Sequence, residues 1–447
     1  MSIENIYSNL AKRLETSIVK SKKFAFDEAL NHQFPASESS IVREGFANYD
    51  VSLENQDELN FEQPFGVREL VRPGFGKHGR LIPSFGCHPD FKNMDDGELR
   101  NGYSVTMFMD IIGSTKLGVM FEPQIVYRIK NDIIRCAIET VEAFDGHVHR
   151  IMGDAVMAFF RSNRCNDEGR VADSAIDALN CATYLIEMFK GVVIPRLVQM
   201  GVDENIGIRI GLDYGKDEEV VWGRYGHMQS NEVTATSFYV DVAAKLQQKA
   251  PKNCIMVGAG FVNLLGLDEN FIKRKKITKD GEIKLVEHLT PNYKDASGKT
   301  IDYDIYVFKN KAYYPLLPAH KNINSLLTVS ATLKKDKSTP SDDYYFQCSR
   351  VIRKGVGISF KGVFSSSYRY DNPRFKFKVV NTGKEASLEE GNGNHVEYVD
   401  ATYTNGQYQA ARWEDTAYKG IHHMYVSFMD GEQVISTEEC FSVFVSD

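Results

Sequence analysis

The sequence lacks the features of membrane-spanning and secreted proteins. No stretch of its 447 residues approaches the ~18 consecutive apolar residues of a membrane span, and its beginning has no continuous apolar segment like that of a secretion signal. The seven cysteines are scattered and never paired as CxxC, which disfavours a disulfide framework and a zinc site. We therefore predict a cytoplasmic protein with reduced thiols and no membrane partner.

An excess of positive charge is also absent. With 53 Lys and Arg against 60 Asp and Glu, the formal net charge is -7, which disfavours a nucleic acid polymer as the main partner. This net charge does not exclude a small anion as a ligand in a locally basic pocket. With 43% hydrophobic residues, 25% charged residues and only 13 Pro, the composition is that of an ordinary globular protein, and its length predicts about three domains.

The N-terminal portion, residues 1–100, is predicted to be a helix followed by an irregular, loop-rich arm. Ile6, Leu10 and Leu14 recur at four-residue spacing, which favours an amphipathic helix from residue 1 to about residue 33. The segment that follows, from Gln63 to Tyr103, is rich in Gly, Pro and Phe. That composition is typical of an irregular segment lying on other surfaces.

The rest of the chain divides into a mixed α/β portion, residues 101–312, and a β-rich portion, residues 325–447. In the first, strand-like and helix-like patterns alternate as β-α-β-β-α-β, with a long helix opening at Pro123. This order predicts an α+β ferredoxin-like sandwich. In the second, short strand-like runs are separated by turns, which indicates an all-β sandwich.

Two carboxylates are the strongest candidates for chemistry. Asp110 ends a predicted strand, and Asp154 lies at the tip of a predicted hairpin. On neighbouring strands they can converge on divalent metal, with the Ile111 carbonyl as a further oxygen ligand. The turn that follows exposes backbone N–H groups suited to a triphosphate, and it consists of Gly113, Ser114 and Thr115.

Four stretches resemble motifs of the class III nucleotidyl cyclases, the adenylate and guanylate cyclase family: FMDIIGST, HRIMGDAVMAFF, IRIGLDYG and VDVAAKL. The resemblance implies a class III cyclase catalytic domain in which Asp110, Ile111 and Asp154 hold two divalent ions, Mn²⁺ or Mg²⁺, for in-line attack of the ribose 3′-hydroxyl on the α-phosphorus. It also places Phe108 among the nucleotide-binding residues. Because the family's active sites lie between two catalytic domains and this chain has one, it implies a homodimer.

The two positions at which this family reads the base are unusual. Adenylate cyclases carry Lys and guanylate cyclases Glu where this sequence has Arg150, and Asp or Cys is usual where it has Thr234. Arg only donates hydrogen bonds, so it cannot accept from guanine N–H groups, and Thr234 is not a dedicated acceptor for the amino group of adenine. A long Arg reaching a smaller ring fits a pyrimidine, and a surface Arg paired with an acid is the alternative.

Two further family positions, an Asn and an Arg, are occupied by Asp241 and Lys245. Their spacing places both on one helix face. Lys245 retains a positive charge that can stabilise the transition state, although without the bidentate fork of Arg. Asp241 either holds the ribose hydroxyls or pairs with Lys245. Both are predicted to be catalytic residues.

The arm, the substituted base-reading positions and the β-rich tail together resemble the pyrimidine cyclases of bacterial Pycsar antiphage systems, whose tail is a sensor-type domain. The resemblance implies that phage infection triggers synthesis of cyclic UMP or cyclic CMP, which activates a separate effector and leads to cell death. The expected substrate is UTP, because uracil O4 suits Arg150, and CTP is the alternative. A catalytically weak nucleotide-sensing module is a further alternative, since Asp241 and Lys245 depart from the family pattern.

Overall fold

The computed structural model describes residues 2–18, 63–78, 85–161, 169–202, 205–227, 230–279, 281–290, 293–320, 325–334, 336–339, 341 and 343–447. Its first helices are α1 (Ile3–Ile6), α2 (8–18) and α3 (Val67–Val71). Ile6, Leu10 and Leu14 are buried, which confirms the predicted apolar stripe, whereas the part of the predicted helix beyond residue 18 lies outside the described residues. No helix in these ranges is long and apolar enough to cross a membrane.

The middle portion is built of strands and helices that surround one large sheet. Its strands are β1 (Leu99–Asn101), β2 (Ser104–Ile112), β3 (Gly146–Met152), β4 (Ala155–Phe160), β5 (Gly207–Gly215), β6 (Val221–His227), β7 (Ser230–Thr236), β8 (Cys254–Gly258), β9 (Ile272–Lys273), β10 (Lys275–Lys279), β11 (Glu282–Val286), β12 (Tyr293–Lys294), β13 (Thr300–Ile301) and β14 (Ile305–Phe308). Its helices are α4 (Ser114–Met120), α5 (Pro123–Ala143), α6 (Arg170–Met188), α7 (Ile194–Gln199), α8 (Phe238–Lys249), α9 (Ala259–Leu265) and α10 (Asn310–Tyr313).

The seven strands of the large sheet have the order β3-β4-β2-β5-β8-β14-β9. Strand β2 is antiparallel to both β4 and β5, and β3 is antiparallel to β4. With α5 and α6 as the connecting helices, these four strands form the ferredoxin-like unit that the sequence predicts. The sequence did not predict α4, which begins directly after Gly113 and precedes the long helix that opens at Pro123.

The two faces of the large sheet differ: one is hydrophobic, and the other carries the candidate site. The apolar stripe of α5 packs on one face together with Met107 and Met109 of β2. Successive side chains of a strand point to opposite faces, so Phe108 and Asp110 lie on the other one. Helix α8 covers that second face so closely that a methyl group on Gly211 of β5 would overlap its backbone.

The arm before β1 is anchored on this domain by buried polar contacts. Glu139 of α5 accepts hydrogen bonds from the backbone N–H groups of Phe65 and Val67 at 2.6 and 3.2 Å. The ammonium group of Lys77 lies 2.7 Å from Asp145 and 2.8 Å from Asp177, and only 1% of this lysine side chain is exposed. A buried charge needs such partners, so the contacts hold the segment on α5 and α6.

The C-terminal portion forms two facing sheets, which confirms the predicted all-β sandwich. Its strands are β15 (Leu327–Lys334), β16 (Tyr344–Tyr345), β17 (Val351–Arg353), β18 (Gly357–Ser365), β19 (Pro373–Val380), β20 (His395–Asp400), β21 (Thr402–Thr404), β22 (Gln407–Glu414), β23 (Gly420–Asp430), β24 (Gln433–Val434) and β25 (Glu439–Ser446). One sheet has the order β16-β15-β18-β22-β21, and the other has the order β17-β25-β23-β19-β20, with β24 paired to β23.

The sandwich packs directly on α6 of the middle portion. The carboxylate of Asp173 accepts a hydrogen bond from the backbone N–H of Val351 at 2.7 Å. The Asn180 side chain donates to the Cys348 carbonyl at 2.9 Å. Both α6 side chains are buried, so each depends on the sandwich for a hydrogen-bond partner that water cannot replace.

The close approach of α8 to Gly211 gives a test of the fold. We expect Gly211→Ala to lower the free energy of unfolding by about 1–3 kcal/mol, because the added methyl group must displace the helix backbone. Gly118→Ala is the matched control: Gly118 lies within α4 with open space around its Cα, and alanine there should be neutral or stabilise by up to about 1 kcal/mol. Denaturant unfolding measures both, and equal stability of the two variants would contradict this packing.

Candidate active site

The backbone brings Asp110 and Asp154 to the same end of two paired strands. Asp110 lies opposite Ala155 in the pairing of β2 with β4, and the N–H of Ile111 donates to the Asp154 carbonyl at 3.3 Å. Gly153, at the tip of the β3–β4 hairpin, has φ +67°, a conformation that glycine adopts without strain. The predicted convergence of the two carboxylate-bearing residues is therefore present in the backbone.

Cationic and amide groups satisfy these carboxylates. The guanidinium of Arg209 lies 2.6 Å from Asp110, and the Gln247 amide donates to the same carboxylate oxygen at 3.1 Å. The ammonium of Lys130 lies 3.6 Å from Asp154. Sequence reasoning missed all three cation and amide partners. Arg209 could have been found, because it faces Asp110 directly in the antiparallel pairing of β2 with β5.

The turn of Gly113, Ser114 and Thr115 combines exposed residues with close packing against neighbouring backbone. Gly113 has φ +79° and lies beside the backbone of Ile206, so a larger residue would be both strained and crowded. Ser114 is buried and donates its hydroxyl hydrogen to Asp154, whereas Thr115 is exposed. Ser114 thus helps to orient one of the two candidate carboxylates.

The candidate metal ligands at this end of the sheet are carboxylate and carbonyl oxygens. Mg²⁺ and Mn²⁺ prefer ligands of this type. Among the described residues, no group of three or more His, Cys, Asp or Glu side chains is placed to hold a metal ion. Two carboxylates and the Ile111 carbonyl fit a different kind of site, in which phosphate oxygens of a bound nucleotide complete the coordination. Arg209 and Lys130 place positive charge beside Asp110 and Asp154, as a bound divalent ion would.

Arg150 is paired with an acid that the sequence did not reveal. Its guanidinium holds both oxygens of Glu232 on β7, and the Nε contact measures 2.8 Å. Thr234 lies two residues further along β7, hence on the same face as Glu232. About a third of each charged side chain of the pair is exposed, so a ligand can reach it.

Neutral His149 leaves that ion pair undisturbed. Its Nδ1 lies 2.7 Å from the Gly86 carbonyl, which only accepts, so Nδ1 carries the hydrogen and Nε2 does not. The Nε2 atom is 3.7 Å from Glu232 and has no hydrogen-bond partner. Burial lowers the pKa of His149, so at neutral pH it does not compete with Arg150 for the carboxylate.

Asp241 and Lys245 lie on α8 but do not pair with each other. Lys245 donates to the Tyr293 hydroxyl and lies 4.8 Å from the centre of that ring, and Asp241 is exposed. At about 100° per residue, Lys245 lies on the side of α8 opposite Gln247, which faces Asp110. Lys245 therefore cannot act at Asp110 of its own chain.

The family is decided by comparison with known proteins. The adenylate and guanylate cyclase catalytic domain matches residues 101–291, and the adenylyl/guanylyl and SMODS C-terminal sensor domain matches residues 306–446. A protein named cytidylate cyclase from Escherichia coli is 41% identical, with 100% of both chains covered. The chain belongs to the class III nucleotidyl cyclases. The resemblance to the Pycsar-type cyclases is thereby confirmed along the whole chain.

Two further relatives of this cyclase carry the same name. A second Escherichia coli protein named cytidylate cyclase is 31% identical and covers 85% of this chain and 87% of its own. A Staphylococcus aureus protein with that name is also 31% identical and covers 88% of this chain and 90% of its own. The family uses divalent metal ions, in agreement with the oxygen donors at Asp110 and Asp154.

A buried acid stabilises the packing beneath α8 of the cyclase. Asp213 of β5 accepts hydrogen bonds from the Tyr303 hydroxyl at 2.8 and 3.0 Å, and the Tyr303 ring packs edge-on against Phe238 at the start of α8. Asp213 is fully buried, and this burial raises its pKa from 3.8 to about 7 despite the hydrogen bonds it accepts.

The raised pKa of Asp213 predicts how stability depends on pH. The folded state holds this proton more tightly than the unfolded state, so its contribution is complete below pH about 4 and is lost as pH rises towards about 7. The isosteric variant Asp213→Asn cannot titrate. We therefore expect the stability of the wild type to fall relative to that variant across this range, as measured by denaturant unfolding, and a constant difference would refute the assignment.

Proposed function

We propose that this protein is a cytidylate cyclase, which converts CTP into 3′,5′-cyclic CMP and pyrophosphate. The observation that carries the choice of base is the Arg150–Glu232 pair, because it offers donors and an acceptor side by side. Cytosine presents an amino donor at N4 next to acceptors at N3 and O2. Glu232 can accept from the amino group while Arg150 donates to the neighbouring acceptors. The names of the three relatives support the same substrate.

The sequence led to an expected preference for UTP because only Arg150 was considered, without its partner Glu232. Uracil carries an acceptor, O4, in place of the amino group of cytosine. In the pose proposed for cytosine, with Glu232 at position 4 of the ring, the carboxylate would face that oxygen without a hydrogen between them, and a partly buried acceptor pair of this kind is unfavourable. The structure and the named relatives thus favour the alternative, CTP, and UTP is retained as the competing substrate to be measured.

Two copies of the chain would share each active site. Asp110, Asp154 and the turn residues Gly113, Ser114 and Thr115 form one half, and Phe108 lies on the same face of β2. The other half consists of Arg150, Thr234, Asp241 and Lys245. Because Lys245 lies on the far side of α8 from Asp110, we propose a homodimer in which each half meets the opposite half of a second copy.

Within such a site, each residue has a task that its position permits. Divalent ions held by Asp110, Ile111 and Asp154 would lower the pKa of the ribose 3′-hydroxyl and neutralise the leaving pyrophosphate. Lys245, steadied by Tyr293, would place a positive charge beside the pentavalent phosphorus. The exposed carboxylate of Asp241 would accept from a ribose hydroxyl, and Thr234 would contact the base beside Glu232.

We propose, from the resemblance to Pycsar systems, that cyclic CMP acts as a second messenger for a separate effector during phage infection. A catalytically weak, nucleotide-sensing protein is the competing function, and the substitutions at Asp241 and Lys245 favour it. The intact carboxylates and the retained positive charge at Lys245 favour turnover. Detection of product distinguishes the two.

The direct test is incubation of the purified protein with each of the four ribonucleoside triphosphates and Mn²⁺ or Mg²⁺, with mass spectrometry of the products. We expect cyclic CMP to form fastest. Asp110→Asn and Asp154→Asn should each lower the rate of cyclisation at least about 100-fold, because each variant leaves only one carboxylate to bind metal. Faster cyclisation of UTP, ATP or GTP would overturn the proposed substrate, and full activity of either variant would overturn the metal ligands.

The role of Glu232 in base selection has its own test. Glu232→Gln keeps the shape but presents an amide in place of the carboxylate, and we expect the ratio of kcat/KM for CTP to that for UTP to fall about tenfold. Glu282→Gln, at an exposed position in the β10–β11 hairpin, is the matched control and should leave the ratio unchanged. An unchanged ratio in a normally folded Glu232→Gln variant would show that base selection lies elsewhere.

A further inference from the structure

The β6–β7 hairpin has one buried face and one open face. Trp222 and Val233 lie on the buried face, where they belong to a hydrophobic cluster. Arg224 points the same way: its guanidinium donates to the Met94 carbonyl at 2.6 Å and lies 2.7 Å from the carboxylate of Asp96. Since side chains alternate along a strand, these contacts turn the intervening residues of the hairpin to the open face.

Tyr225 stands on that open face, beside the Arg150–Glu232 pair. It lies directly opposite Glu232 in the pairing of β6 with β7, and the Cβ atoms of two such residues are ~5 Å apart. Tyr225 is 69% exposed, and within the described ranges no other aromatic ring and no cation packs on its ring. The ring is therefore uncovered next to two charged side chains that a ligand can reach.

Apolar surface continues beside Tyr225. Gly223, two residues earlier on β6, pairs with Thr234 on one side and with Leu99 of β1 on the other. A methyl group on Gly223 would lie 2.8 Å from the Leu99 side chain, which therefore covers the glycine, and Leu99 is itself 71% exposed. The open face thus offers apolar groups for the face of a ring and, at the neighbouring ion pair, hydrogen-bonding groups for its edge.

From this arrangement we propose that the Tyr225 ring stacks on the face of the pyrimidine base whose edge is bound by Arg150 and Glu232. The inference rests on the proposed function, because it takes that ion pair as the base-binding site. Hydrogen bonds to a base edge leave its two faces uncovered, and aromatic side chains stack on such faces. Every base has them, so stacking adds affinity without selecting the base. Glu232 then sets the preference between bases, and Tyr225 sets how tightly each is held.

Two variants of Tyr225 and one control separate the ring from its hydroxyl group. We expect Tyr225→Ala to raise KM about tenfold for both CTP and UTP, with kcat within about twofold of the wild type, because stacking acts equally on bound substrate and transition state. Tyr225→Phe keeps the ring and should behave as the wild type. Tyr344→Ala removes a tyrosine that is 63% exposed on β16 of the sandwich, and should also have no effect. The ratio of kcat/KM for CTP to that for UTP should stay constant in all three variants, in contrast to Glu232→Gln.

Inhibition by pyrophosphate shows whether the effect is confined to the base. Pyrophosphate carries the phosphate groups that the metal ions would bind, and it has no base. Its inhibition constant should therefore be the same for Tyr225→Ala and the wild type. A general distortion of the site would raise this constant together with KM.

Binding is also measured without turnover, by isothermal titration calorimetry with 3′-deoxy-CTP and 3′-deoxy-UTP in the presence of Mg²⁺. Both analogues lack the attacking hydroxyl, and we expect Tyr225→Ala to raise the Kd of each about tenfold. If no triphosphate is cyclised but both analogues bind and are weakened in this way, the cyclase proposal fails and the stacking stands. If 3′-deoxy-UTP binds the wild type more tightly and both analogues are weakened, only the choice of substrate fails.

Several results would overturn the stacking. These are an unchanged KM and Kd in a normally folded Tyr225→Ala variant, or no binding of either analogue to the wild type. Tyr225→Phe as weak as Tyr225→Ala would assign the effect to the hydroxyl group. An equal rise in the pyrophosphate inhibition constant would show a distorted site. A wild-type dimer that dissociates in Tyr225→Ala, as measured by sedimentation velocity, would place the ring at the subunit interface instead.

Discussion

The register of β2 between β4 and β5 is the constraint on which the candidate active site depends. It sets Asp110 opposite Ala155, next to the hairpin tip that carries Asp154, and opposite Arg209 on the other side. Because side chains alternate along a strand, a slip of one residue would turn Asp110 into the hydrophobic layer beneath α5. Met107 and Met109, which fill that layer, therefore help to keep the carboxylate on the functional face.

Helix α8 imposes the second constraint, because side chains on its two sides contact different parts of the domain. Gln247 faces inward to Asp110 of the same chain, while Lys245 faces away and is steadied by Tyr293. Gly211 allows the helix backbone to lie directly on β5, which sets both orientations at once. In the proposed homodimer, one helix would support the carboxylate half of one site and supply a cation to the other, so that the two halves could not be adjusted independently.

Features that depend on local periodicity could be predicted from the sequence, and those that depend on distant partners could not. The stripe on α5, the β-α-β-β-α-β order and the meeting of Asp110 with Asp154 all follow from spacing along the chain. Glu232 lies 82 residues from Arg150 and meets it only because β7 folds back beside β3. The sequence allowed for an acid partner of Arg150 without identifying it. Helix α4 has only seven residues, too few for a periodic signal.

The hydrogen bonds from α6 to the sandwich also limit what a deletion experiment can reveal. Asp173 and Asn180 are buried beneath the C-terminal strands, where they hold backbone groups of Val351 and Cys348. A chain cut before residue 325 would leave those side chains facing water next to an uncovered apolar surface. Loss of activity in such a fragment would report a damaged catalytic core, so a regulatory role of the sandwich has to be tested with point substitutions in the intact chain.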